Sequence, residues 1–181
     1  MRFHGPVRVR LRGAVTDYSQ HTGESALAES DLTALEQIDF AAPRCVTVEN
    51  ATKFQELCRL SSGDIFVFTS YPNKATVEFL RHVPSTVPLF HFGDTDPWGF
   101  DVLRSLRKIL GRQVTPLHML YRPKADAPIL QPRDRRKLDS LLSEPGVADV
   151  RAELERLKRA GTKGDFEQES LALTTSRFPY V

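Results

Sequence analysis

Apolar and polar residues follow two rhythms along this chain. Near the start, VRVRLRGAV alternates Val7, Val9 and Leu11 with Arg8, Arg10 and Arg12, the period of a strand with one apolar and one arginine face. Gly13 and the stretch TDYSQHTGES then signal a turn and a loop, so an N-terminal β-hairpin is expected. The arginine face reads as charge guarding an edge strand; contact with phosphates is the sharper alternative. SDLTALEQI sets Leu32, Leu35 and Ile38 at helical spacing behind Ser30 or Asp31 as N-cap, which predicts a helix before Pro43 closes this lead-in.

From residue 45 the rhythm changes to strand–helix alternation. CVTVEN (45–50), DIFVFTS (64–70), VPLFHF (87–92) and VTPLHML (114–120) read as strands, the last with a proline suited to an edge or a strand start. Between them, helices are predicted over Thr52–Leu60, Lys74–His82 and Pro97–Leu110. Ser61–Gly63 breaks the first and Gly111 stops the third. Such alternation implies right-handed crossovers and a mainly parallel sheet of about four strands, flanked by helices, in an α/β fold. Ligands of such sheets gather beyond the carboxyl ends of the strands. That rule singles out Glu49–Asn50, Thr69–Lys74 and Gly93–Gly99. After residue 121, RPKADAPILQPRDRRK reads as a loop, followed by helices over Asp134–Ser143 and Val147–Ala160 and a short helix within GTKGDFEQESLAL. Three regions result: a lead-in (1–42), an α/β core (43–121) and a C-terminal helical extension packing on it (122–181).

Composition narrows the function classes. With 40% hydrophobic and 27% charged residues, the 181-residue chain suits a soluble globular protein. A net charge of +2 excludes a general polycation, so any nucleic-acid site is a local patch. No apolar run is long enough to cross a bilayer. MRFHGPVRVR lacks the apolar centre of a signal peptide. Cys45 and Cys58 have no metal-site spacing and read as buried thiols in a reducing cytosol.

The candidate chemistry is acidic. Glu49 follows the first core strand; Asp94 and Asp96 follow the third. If those strands are neighbours, the three acids meet at one sheet edge, where they repel unless protonated or neutralised by a cation. Oxygen donors of this kind suit Mg²⁺ or Mn²⁺. A simpler reading also stands. Asp96 before Pro97 is a standard helix N-cap, and Glu49 would then be a surface acid at a strand end. That reading leaves Asp94 unexplained.

Glutamate after the first strand and D-x-D-x-x-G after the third (Asp94, Asp96, Gly99) resemble the Toprim domain of topoisomerases, primases and some nucleases. The fuller HFGDTDPWGFDVLRSLR is similar to the topoisomerase VI A subunit and above all to the Wadjet JetD family; TVENATKF, SYPNKA and FEQESL look like further motifs of that family. These motifs run in unbroken order over about residues 40–175. The resemblance implies a Toprim (Rossmann-like) nuclease subunit of a bacterial, cytoplasmic anti-plasmid system. It would work beside an SMC-type, condensin-like complex and cleave circular double-stranded DNA. It carries Glu49, Asp94 and Asp96 over as magnesium ligands, with Glu49 as a possible general acid or base. Lys74, Glu167 and Glu169 follow as helpers, each with a solvated-surface alternative. Arg104, Arg107 and Lys108, with the basic stretch Pro132–Lys137, are candidate phosphate contacts. Family members are longer and carry an N-terminal arm, so the chain reads as a shorter form or a piece, and a homodimer is a further possibility. Tyr18, Tyr71, Tyr121 and Tyr180 lack the context of a DNA-cleaving tyrosine, which favours metal-activated water. The alternatives are a non-catalytic Toprim module that docks DNA or a partner, and a phosphotransfer component like the topoisomerase VI A subunit.

Overall fold

A computed structural model describes residues 1–60, 63–173 and 177–180. The lead-in forms β1 (Arg2–His4), β2 (Val7–Leu11), β3 (Ala14–Asp17), β4 (Ser25–Ala26), a short α1 (Glu29–Thr33) and β5 (Leu35–Phe40). The core follows as β6 (Cys45–Val48), α2 (Ala51–Leu60), β7 (Ile65–Phe68), α3 (Lys74–His82), β8 (Leu89–Phe92), α4 (Pro97–Leu110) and β9 (Val114–Pro116). The extension supplies α5 (Pro132–Leu142), α6 (Arg151–Ala160) and a 3-10 turn at Gln168–Ser170. The expected break after α2 falls partly on residues 61–62, outside the described residues; Gly63 follows with φ +79°.

The main sheet runs β4-β1-β7-β6-β8-β9. Its parallel part, β7-β6-β8-β9, is the expected four-stranded core. The sheet nevertheless has six strands rather than about four, because β1 and β4 from the lead-in add an antiparallel edge beside β7. Only three residues of β1 make this pairing, too few to show a period in sequence, yet its Phe3 is fully buried. The expected hairpin gains a third strand, giving a separate antiparallel sheet β3-β2-β5. Here the helix expected over residues 30–38 is corrected to α1 followed by β5. Leu35, Ile38 and Phe40 instead cover the β2–β5 pair, whose register sets Val7 against Phe40 and Val9 against Ile38. Apolar residues three apart fit either element, and the pairing with β2 decided it.

The parallel strands are buried on both faces. On one face Phe79, Leu80, Phe100, Leu103 and Leu106 of α3 and α4 join Leu138, Leu141, Leu154 and Leu157 of α5 and α6. On the other, Val46, Val48, Phe66 and Phe92 pack with Phe54 and Leu57 of α2 and with Tyr180. Truncating such a leucine costs about 2–5 kcal/mol. Cys45 and Cys58 are buried free thiols, as expected. Among the described residues no helix is long and apolar enough to cross a membrane.

α4 is set by its ends. Asp96 Oδ1 accepts from the N–H groups of Trp98 and Gly99, Pro97 occupies the first turn, and Gly111 closes the helix at φ +62°. The extension docks on this helix through its start. Trp98 Nε1 donates to Asp134 Oδ1 at 2.8 Å, while Asp134 Oδ2 caps α5 by accepting from Gln131 N at 3.0 Å.

Candidate functional site

β6 and β8 are neighbours in register, with Val48 opposite Phe92. The ladder runs one step further: Glu49 N donates to Phe92 O at 3.0 Å. Glu49 and the loop after β8 therefore leave the sheet side by side. Glu49 Oε2 accepts from Asp94 N at 3.1 Å, so the two acids named from sequence come together.

Two glycines make that approach possible. A Cβ on Gly93 would stand 2.4 Å from His91 Nε2 and 3.0 Å from Glu49 Oε2. A Cβ on Gly99 would stand 2.2 Å from the Asp94 carbonyl oxygen. The last position of D-x-D-x-x-G is thus glycine because the Asp94 loop folds directly onto the first turn of α4.

The pair is electrostatically unfinished. Burial pushes the Glu49 carboxyl up to about 8, and the neighbouring Asp94 charge pushes the same way. Asp94 rises to about 6, chiefly through burial, with Asp96, Glu169 and Glu167 adding like charge. Its Oδ1 accepts from Gln168 N at 3.1 Å. Glu49 Oε1 and Asp94 Oδ2 accept no hydrogen bond among the described residues.

Asp96 differs from the expected third ligand. Its Oδ1 caps α4, and its Oδ2 meets Lys163 Nζ at 2.6 Å, an ion pair in which both side chains are largely buried. Among the described residues no group of three His, Cys, Asp or Glu is set to share one ion. The donors that fit a hard cation are therefore the two carboxylates Glu49 and Asp94. That suits Mg²⁺, which commonly takes one or two carboxylates and fills its shell with water and phosphate oxygens.

The late FEQESL stretch lies across this edge as a strap. Thr95 N donates to Phe166 O at 2.9 Å, Asn50 Nδ2 donates to Glu169 Oε1, and Lys53 Nζ donates to Leu171 O at 2.6 Å. Arg122 holds its outer side through Glu167 O at 3.1 Å. Glu167 and Glu169 are exposed beside the acids, while Gln168 between them is buried.

Other candidates lie elsewhere. Lys74 pairs with Glu29 of α1 and projects into solvent. Arg104 binds Asp101 at 2.7 Å, and Arg107 binds Asp149 at 2.8 Å and the Val114 carbonyl. Those two arginines stitch α4 to its surroundings; Lys108 is exposed. Tyr71 meets Ser105 Oγ at 3.2 Å, and Tyr180 is buried against Asp64. Sequence reasoning missed Lys163, Gln168, Thr47 and His91. Only His91 left a trace, as an imidazole inside an otherwise apolar strand.

The family model for the C-terminal part of the Wadjet protein JetD matches residues 4–176. This extends the resemblance, read from about residue 40, back to β1. No curated protein matches the chain.

Proposed function

The chain belongs to the Wadjet JetD C-terminal family, and on that premise we propose that it is the DNA-cleaving part of a Wadjet anti-plasmid system. In this reading it is a Toprim nuclease that hydrolyses phosphodiester bonds of circular double-stranded DNA with Mg²⁺ or Mn²⁺. The observation that carries it is the convergence of Glu49 and Asp94 at the carboxyl end of adjacent parallel strands, with their outer oxygens unclaimed.

A bound divalent ion would supply Lewis-acid polarisation of a phosphoryl oxygen and a more acidic water. Glu49 and Asp94 hold that ion. Glu49, whose proton is retained up to about 8 without a cation, exchanges a proton with the attacking water or the departing oxygen. Asp96 fixes the loop that aims Asp94, and Lys163 neutralises it. Glu167 and Glu169 sit at the mouth and can order a further ion or water. Arg104 and Arg107 are committed to internal acids, which favours delivery of the DNA by other parts of the system, an SMC-type complex or a second copy, over a grip on α4.

The test is conversion of supercoiled plasmid to nicked or linear DNA with Mg²⁺ or Mn²⁺, in the presence of the system's other subunits. Glu49→Ala and Asp94→Ala are expected to abolish it. Cutting that persists unchanged in both variants refutes the site. A wild-type protein that binds but never cuts supports the non-catalytic docking module instead.

A further inference from the structure

Thr47 and His91 face each other across β6 and β8, one step inside the acid pair and on the same side of the sheet as Glu49. Both are buried, His91 completely. Thr47 Oγ1 donates to the Phe90 carbonyl at 3.0 Å and lies 2.9 Å from His91 Nδ1. A hydroxyl has one proton. If it goes to Phe90, the ring must donate Nδ1–H to Thr47, which leaves Nε2 as a bare lone pair. Nε2 has no hydrogen-bond partner among the described residues. It does have a neighbour. Nε2 and Glu49 Oε2 both lie within 3.0 Å of the point where a side chain on residue 93 would begin, and residue 93 is glycine.

We propose that His91 is a positioning residue for Glu49, working with Thr47 through a reversible hydrogen-bond chain. When Glu49 carries its proton, Nε2 accepts from the carboxyl, Nδ1–H donates to Thr47, and Thr47 donates to Phe90. When Glu49 is ionised, the chain reverses: Thr47 donates to Nδ1, and Nε2–H donates to the carboxylate, directly or through one water. The ring stays neutral throughout. Only its proton changes nitrogen, and no net charge enters the interior. Gly93 keeps the path open. Hydrogen bonding to the back of a carboxylate ligand fixes its orientation and is worth roughly 10–100-fold in metal affinity.

The inference rests on Glu49 acting as a metal ligand, and the test separates the two claims. The imidazole nitrogens of His91 and the carboxyl carbons of Glu49 and Asp94 are followed by NMR in isotope-labelled protein during a Mg²⁺ titration. The expected result is a shift of both carboxyl carbons together with movement of the ring proton from Nδ1 to Nε2. Thr47→Val, close in shape, is expected to block that movement and to weaken Mn²⁺ binding, read by electron paramagnetic resonance, about tenfold. Carboxyl shifts with an unchanged ring tautomer overturn the proposal and leave the metal site standing. Absence of any carboxyl shift removes the metal reading. The His91–Glu49 contact is then decided without metal. Glu49→Gln is expected to move the Nε2 resonance while Glu169→Gln does not, and an Nε2 resonance indifferent to Glu49→Gln overturns it.

Discussion

Replacing Gly99 with alanine tests whether the acid pair depends on backbone contact between the Asp94 loop and α4. The new Cβ would stand 2.2 Å from the Asp94 carbonyl oxygen, 2.9 Å from its carbonyl carbon and 3.0 Å from its nitrogen. All three are backbone atoms, so no flexible side chain can give way. To reach an ordinary contact the loop retreats by roughly 1 Å, and overpacking of this kind costs about 1–3 kcal/mol. For a chain of this length that lowers Tm by roughly 2–4 °C per kcal/mol. The functional loss is larger, because displacement of a reacting group by about 1 Å costs on the order of 100-fold in rate. Gly146 is the control: it has no neighbour within 4 Å, and alanine there is expected to change neither quantity. The assay is thermal unfolding paired with plasmid cleavage well below the Tm. Gly99→Ala with unchanged Tm and unchanged cleavage would refute the claim that this glycine exists to seat Asp94.

Other expectations follow from the same site. Both acids are raised above their ordinary values, so the folded protein holds more protons than the unfolded chain between those values and the raised ones. Metal-free stability is therefore expected to fall as pH rises from Glu49's ordinary 4.5 and to flatten above about 8, measured by chemical denaturation; a flat or rising curve from pH 5 to 8 contradicts it. Saturating Mg²⁺ should cancel that fall in wild type but not in Asp94→Ala. Lys163→Met removes the partner of a buried carboxylate and should cost about 3 kcal/mol, seen as a lower denaturation midpoint; Lys163→Arg should recover most of it. Arg107→Ala should cost about 1–3 kcal/mol through Asp149 and Val114 while leaving the salt dependence of DNA binding unchanged. A reduced salt slope would instead mark Arg107 as a phosphate contact.

Much of this arrangement was legible because it is local. The apolar runs around CVTV and LFHF end where the acids begin, and Asp96-Pro97 marks a helix start through the geometry of a first turn. Those signals located Glu49, Asp94 and the start of α4. They could not show that Asp96 also faces Lys163, because 67 residues separate the two. Nor could they show Gln168 N reaching Asp94 from across the strap. Both contacts depend on how the extension returns over the sheet edge.

By itself the sequence determined what each segment is able to be: its period, its caps, its turn glycines, and which strands end in carboxylates. Those follow from the steric and hydrogen-bonding needs of a few consecutive residues. Tertiary structure alone decided which ends meet. It put β6 between β7 and β8, recruited β1 and β4 to the core, and turned an ambiguous apolar stretch into β5. It also spent Arg104 and Arg107 on internal acids. Such outcomes are fixed by pairing and burial between distant segments, where the free energy of closing the core outweighs the preference of any one stretch.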